Sequence, residues 1–172
     1  MHPERYDEKN AEMHFIKAKE LGITQKLAQI YIDSYFQRYQ GVRTYLDGVL
    51  AQARRDGYVT TLLRRRRYLP EIMSSQAAVR QFAERMAINA PIQGTAADLI
   101  KVAMVRIANR LAEERYEAAM IMQVHDELVF EVAQDAVTEA AKHIRACMDS
   151  AADLAVPLQV QIGVGDNWEE AH

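Results

Sequence analysis

Residues 125–127 read His125-Asp126-Glu127, an imidazole beside two adjacent carboxylates. Hard carboxylate oxygens suit a divalent cation. Equally, an acidic turn between two strands can be no more than solvated surface. Period-two alternation would send Asp126 and Glu127 to opposite faces, so only one of them would be a direct ligand. A second group is Arg85, Asn89 and Gln93. Their spacing of four predicts a shared helical face up to Pro91, with Gln93 beyond it. A cation and two amides in a row can read phosphate oxygens and base or sugar edges. A polar helix face capped by a turn would carry the same residues.

The third group is a charge block. Residues 38–85 hold ten arginines against Asp47, Asp56, Glu71 and Glu84, a net +6, while the rest of the chain carries −9. Every cation in the block is Arg, whose planar fork matches phosphate geometry. Four are consecutive, Arg64-Arg65-Arg66-Arg67. A charge run is often a solvated face; on an acidic chain this one favours a polyanion partner over general stickiness.

The elements that must position these groups follow from periodicity. The first residues, to about Lys19, are mixed in charge and weakly periodic, and read as a tail or frayed helix. An amphipathic helix is predicted from about Gln25 to Tyr39, with Thr24 as N-cap, Gly41 just past its end, and Leu27, Ile30, Tyr31 and Tyr35 as its apolar face. A second helix shows Val42, Tyr45, Leu46, Val49, Leu50 and Ala53 as a core-facing stripe and stops at Gly57. Tyr58-Val59-Thr60-Thr61-Leu62 then pairs with the arginine run in a hairpin. Helical pattern returns from about Gln76. Pro91 is expected to interrupt it, with Thr95-Ala96-Ala97-Asp98 as a capping box restarting a helix to about Glu114. That places Asn89, Gln93 and Gly94 at a break. Ala119 to Val124 reads as a strand buried on both faces, Glu127 to Val132 as an alternating strand, and His125-Asp126 as the apex between them. A helix within 134–154 and a last strand through Leu158, Val160, Ile162 and Val164 complete the order. The fold class is α+β, with an antiparallel β-β-α-β layer after the helices. Three stretches follow: 1–20, 21–115 with the arginine hairpin, and 116–172 with the acidic turn.

Composition narrows the class. The chain has 172 residues, 49% hydrophobic and 26% charged, which excludes wholesale disorder. The single cysteine, Cys147, excludes a disulfide framework and a cysteine zinc cluster and points to a reducing compartment. The expectation is a protein without membrane span or signal peptide, resident in the cytoplasm.

Three longer motifs make the chain recognisable. Ala83-Glu84-Arg85-Met86-Ala87-Ile88-Asn89-Ala90-Pro91-Ile92-Gln93-Gly94-Thr95-Ala96-Ala97-Asp98 closely resembles the Q-helix motif of family A DNA polymerases, the bacterial DNA polymerase I class. Met122-Gln123-Val124-His125-Asp126-Glu127-Leu128-Val129 resembles that family's motif C, and Val156-Pro157-Leu158 through Gly165-Asp166-Asn167-Trp168 its C-terminal strand. The resemblance runs from about Leu21 to His172. It implies distal fingers helices followed by most of a palm. It implies that Asp126 is a catalytic metal ligand in a two-Mg²⁺ site, with Glu127 the neighbouring catalytic acid and His125 a contact to the primer terminus. Arg85, Asn89 and Gln93 become template-primer contacts, and hairpin arginines such as Arg65 and Arg66 neutralise DNA phosphates. Primer-template DNA and deoxynucleoside triphosphates are the implied partners.

Two family features are absent from the sequence. No run matches motif A, Asp-Tyr-Ser-x-x-Glu-Leu-Arg, which carries the second metal-binding aspartate. Nor does any run match the Arg-x3-Lys-x6-Tyr-Gly helix that grips the triphosphate. Arg5 and Lys9 share the first spacing, but Ile16-Lys17 stands at the Tyr-Gly position. Arg64 occupies the hairpin position where the family has a turn glycine. The expectation is a polymerase fragment inactive alone, or else a non-catalytic DNA-binding piece, with an unprotected sheet edge that invites self-association.

Overall fold

Thr24 opens the first helix as its composition suggests. In the computed structural model, which describes residues 22–171, its hydroxyl accepts the Leu27 N–H at 3.3 Å. The chain divides into two compact units at residues 55 and 56. The first holds helices α1 (Gln25–Arg38) and α2 (Gln40–Asp56). The expectations for residues 1–20 lie outside the described residues.

Gly41 does not end α1. It sits inside α2 without a positive φ, and the break falls at Tyr39, whose φ of −112° and ψ of 60° leave the helical region while its N–H still bonds Tyr35 O. A glycine terminates a helix only where the chain needs a left-handed residue; here a single tyrosine makes the bend. The apolar faces are also less covered than their periodicity implies. Leu27, Ile30, Tyr31 and Tyr35 are exposed, as are Val42 and Tyr45, while Val49, Leu50 and Ala53 are buried. Periodicity assigns an apolar face; burial needs an opposing surface, and in these two helices it reaches only Ala28 and the end of α2 among the described residues.

The second unit is organised along one helix. Gly57, at φ +75°, turns the chain out of α2 into strand β1 (Tyr58–Thr60), which pairs antiparallel with β2 (Arg66–Tyr68). A short 3-10 turn, Pro70–Met73, leads to α3 (Ala77–Glu114), 38 residues without interruption. At 1.5 Å per residue this is a rod on the order of 55 Å long. Its first half buries Ala83 and Ala87, and β1 and the 3-10 turn pack along it through buried Val59, Leu69 and Ile72.

The expected break at Pro91 is therefore absent. Proline removes one N–H from the ladder and crowds the preceding turn, at a cost of about 3 kcal/mol in a helix interior. Burial of the Pro91 ring offsets part of this; the ladder bond lost is the one to the Ala87 carbonyl, and the Thr95 hydroxyl donates separately to the Pro91 carbonyl at 2.5 Å. Thr95 and Asp98 accordingly form no capping box, because there is no helix start to cap.

The second half of α3 carries the other core. Ala103, Ile107 and Leu111 pack with Ala140 and Ile144 of α4 (Val137–Asp149) and with Ala151. Strands β3 (Ala118–Val124) and β4 (Glu127–Val132) lay Ala118, Met120, Leu128, Phe130 and Val132 against this cluster. The sheet is one-sided rather than buried on both faces. Ile121 faces away by alternation with core-facing Met120, and a bulge between Met120 and Met122 shifts the phase so that Met122 is exposed as well.

The last expected strand does not form. Leu158 packs on the core, but residues 157–165 join no ladder, and the two sheets have two strands each. Alternation fixes which side chains share a face, whereas a strand exists only where its backbone finds a partner. Here the chain folds back on a terminal turn, α5 (Trp168–Ala171), so tightly that a Cβ on Gly165 would fall 2.7 Å from Glu170 Cβ. The α+β class stands, with β-β-α followed by irregular chain. No described helix is long and apolar enough to cross a membrane.

Because Pro91 costs a ladder bond, Pro91→Ala is expected to raise the unfolding midpoint by a few degrees, about 1 kcal/mol after its lost packing is deducted. Thermal denaturation followed by circular dichroism checks this. A lower midpoint would show that burial of the ring outweighs the missing bond.

Candidate nucleic-acid interface

The β1–β2 hairpin is built so that its arginines project from a fixed base. Val59 and Leu69 are the buried anchors, while Arg66, Arg67 and Tyr68 are all exposed. The register pairs Tyr58 with Tyr68, Val59 with Arg67 and Thr60 with Arg66. The two tyrosine rings meet edge to face at 5.7 Å, and the Arg66 guanidinium lies 4.8 Å from the Tyr58 centroid. Its hydrogen bond to Tyr68 pushes the Arg66 pKa above the ordinary arginine value, with the charge interactions of Tyr58 and Tyr68 acting the same way. Arg66 is a permanent cation whose plane is oriented by aromatic contact.

The tip closes with Arg64 N–H on Thr61 O and Thr61 N–H on Arg65 O, both at 2.9 Å. Arg64 itself has φ +64°. A tight turn followed by a left-handed residue is a common three-residue hairpin loop, and glycine is the residue that fits it without strain. Arginine there is a strained choice that adds a cation.

Hairpin and helix enclose a cleft of about 450 Å³ lined by Thr61, Arg65, Arg66, Arg67, Met86, Asn89, Ala90, Gln93 and Gly94. Asn89 and Gln93 are exposed on consecutive turns of α3, so the amide pair faces the arginines because the helix is unbroken. Arg85 lies one turn earlier, exposed over Phe82 at 5.8 Å, and does not line the cleft. Arg65 lines it but is already committed. Its Nε bonds Asp98 Oδ1 at 2.7 Å and its Nη2 donates to Gly94 O at 3.1 Å. Asp98 is the one charged side chain buried among the described residues, and sequence reading passed over it as a helix cap. Its signal was its place one turn after Gly94 on the face that meets the hairpin. Of the other arginines, Arg80 donates to Ser74 O at 2.8 Å and Arg43 pairs with Asp47 at 3.2 Å.

The acidic turn is a separate feature. Val124 pairs with Glu127, leaving His125 and Asp126 as a two-residue turn. Asp126 lies off the strands, so alternation does not set its direction. His125 has φ +52°, where glycine is usual, and its carbonyl accepts Gln123 Nε2 at 3.0 Å. All three residues of the motif are exposed. Strain held at an exposed motif of this kind is characteristic of functional turns.

Comparison with known proteins gives the context of both features. The family model for DNA polymerase family A matches residues 13–170, beginning ahead of Leu21. The chain belongs to DNA polymerase family A. DNA polymerase I of Pseudomonas aeruginosa is 55% identical over 155 residues, covering 90% of this chain and 17% of that protein. DNA polymerase I of Geobacillus stearothermophilus is 46% identical over 154 residues, covering 90% and 18%. The solved POL domain of Pol1 from M. smegmatis, in complex with DNA primer-template and dNTP, superposes with a TM-score of 0.86 at 47% identity, covering 90% of this chain and 27% of that one. This chain thus spans under a fifth of the length of these DNA polymerase I relatives.

Family A DNA polymerases generally use Mg²⁺. No group of three His, Cys, Asp or Glu side chains able to hold a metal occurs among the described residues. Asp126 and Glu127 are adjacent exposed carboxylates at the hairpin apex.

The left-handed position of Arg64 generates a stability test. A non-glycine residue there costs about 1–2 kcal/mol, partly cancelled by the greater unfolded freedom of glycine. Arg64→Gly is expected to stabilise the chain by up to about 1 kcal/mol in urea titration; destabilisation would mean that the Arg64 side chain makes compensating contacts.

Proposed function

We propose that the chain is the duplex-binding and motif C portion of a family A polymerase, contributing to template-directed nucleotidyl transfer in DNA replication and repair, with primer-template DNA as its direct partner. The observation that carries this is the convergence of Arg65, Arg66, Arg67, Asn89 and Gln93 on one cleft. Guanidinium groups neutralise backbone phosphates, and the amides across from them can bond base or sugar edges. Arg85 extends the same α3 face by one turn. The POL domain of Pol1 from M. smegmatis, which shares this fold, was solved with primer-template and dNTP. Its cellular setting is the cytoplasm, at chromosomal DNA.

In this reading Asp126 is the aspartate that ligates Mg²⁺, Glu127 the adjacent acid, and His125 a primer-terminus contact held by the strained turn. Two-metal catalysis needs carboxylates on both sides of an ion pair about 3.5–4 Å apart. Asp126 therefore depends on a carboxylate that the described residues do not bring to it, and triphosphate capture on groups they lack. The 172-residue chain by itself binds primer-template without turning over nucleotides, which is also the behaviour of the alternative, a non-catalytic DNA-binding piece.

Two measurements test this. Affinity for a labelled primer-template, followed by fluorescence anisotropy, is expected to fall steeply with salt. Arg66→Ala combined with Arg67→Ala should weaken it by about tenfold or more and reduce the salt slope by roughly two. Arg145→Ala, on exposed α4, should change neither. Equal losses in all variants, or salt-independent binding, would contradict the assignment. Primer extension with Mg²⁺ or Mn²⁺ is expected to be absent for the chain alone. Robust extension abolished by Asp126→Ala would reveal a complete metal site and overturn the dependence on outside groups.

A further inference from the structure

The arginine hairpin touches α3 through a compact set of contacts at its tip. The Leu62 N–H donates to Thr95 Oγ1 at 2.9 Å, and the same hydroxyl donates onward to the Pro91 carbonyl at 2.5 Å. Arg65 bonds Gly94 O and buried Asp98, and the Arg65 N–H donates to Thr61 Oγ1 at 3.1 Å. A Cβ on Gly94 would fall 2.7 Å from Thr61 Cγ2. That methyl cannot easily withdraw, because the Thr61 hydroxyl is held by the same loop. Asp98 Oδ2 is buried without a hydrogen-bond partner, so its carboxylate relies on Arg65 for compensation.

From this geometry we infer that Gly94, Thr95 and Asp98 form a latch that fixes the hairpin against α3 and sets the width of the cleft. They are positioning residues for duplex binding, acting through Arg66 and Arg67. The inference rests on the nucleic-acid reading of the cleft. A pair of three-residue strands is marginal on its own, and four adjacent guanidinium groups at its tip repel one another. Pinning the loop before DNA arrives lowers the ordering cost of binding. The Thr95 hydroxyl that bonds the Pro91 carbonyl is the group that receives the hairpin.

The test uses the full chain with two readouts. Amide hydrogen exchange at Leu62 reads docking of the tip without DNA. Thr95→Val is expected to speed it by about tenfold or more, and Thr95→Ser to restore it. Primer-template affinity reads the consequence. Thr95→Val and Asp98→Asn are expected to weaken it by roughly five- to tenfold, and these losses should vanish in an Arg66→Ala/Arg67→Ala background, as coupled sites require. Gly94→Ala separates the latch from helix strength. Alanine favours the helix, so a role confined to helix stability predicts tighter or unchanged binding, whereas the latch predicts weaker binding. Unchanged Leu62 exchange in Thr95→Val overturns the latch. Losses that persist in full without Arg66 and Arg67 overturn its action through them. A wild-type chain that binds no duplex, while Thr95→Val still speeds Leu62 exchange, overturns the nucleic-acid reading and with it the latch's role in binding.

Discussion

Everything in the second unit depends on α3 continuing through Pro91. A break there would leave Asn89 and Gln93 on different segments, with no reason for both to face the arginine hairpin. It would also separate the packing of Val59, Leu69 and Ile72 from the cluster around Ile107 and Ile144. The ring is buried in a helix that runs on without interruption. Four residues later the Thr95 hydroxyl, bonded to the Pro91 carbonyl, anchors Leu62 of the hairpin. The uninterrupted helix thus carries the residue that receives the hairpin.

The two hairpins set on this rod follow opposite designs. The arginine hairpin is short, strained at Arg64 and held from outside by α3. The acidic hairpin has longer strands, a bulge and a core-facing side that packs with α4, and is strained at His125. In both, one non-glycine residue at the turn, Arg64 or His125, is held at positive φ, next to the residues that line the cleft or form the acidic apex. The acidic turn is exposed, and the arginine-lined cleft is formed within the second unit.

Much of this was legible in the sequence. The hairpin with its arginines, the His125-Asp126 apex, Thr24 as a cap and the face shared by Arg85 and Asn89 all follow from local pattern, and the family resemblance agrees with the matches to DNA polymerase family A; Gln93 joins that face only because α3 runs on through Pro91. What local pattern misjudged has a common cause. Thr95 and Asp98 have the types and spacing of a helix cap, and only the tertiary approach of Leu62 and Arg65 gives them another use. Leu158 to Val164 alternates as a strand does, yet no ladder receives it. Ile121 and Met122 belong to an apolar run, yet the first faces away by alternation and the second by a bulge, on a sheet face that nothing described covers. Each depends on what stands opposite, and a sequence read in order holds no such information.

The central claim is that duplex DNA lies in the cleft between the arginine hairpin and α3. The most direct measurement is amide chemical-shift mapping of the chain with a short primer-template at low salt. The account requires the largest shifts at Thr61, Arg66, Arg67, Asn89, Gln93 and Gly94, with α4 undisturbed. Shifts centred on α4 or on the exposed apolar face of α1, with the cleft amides unmoved, would contradict it.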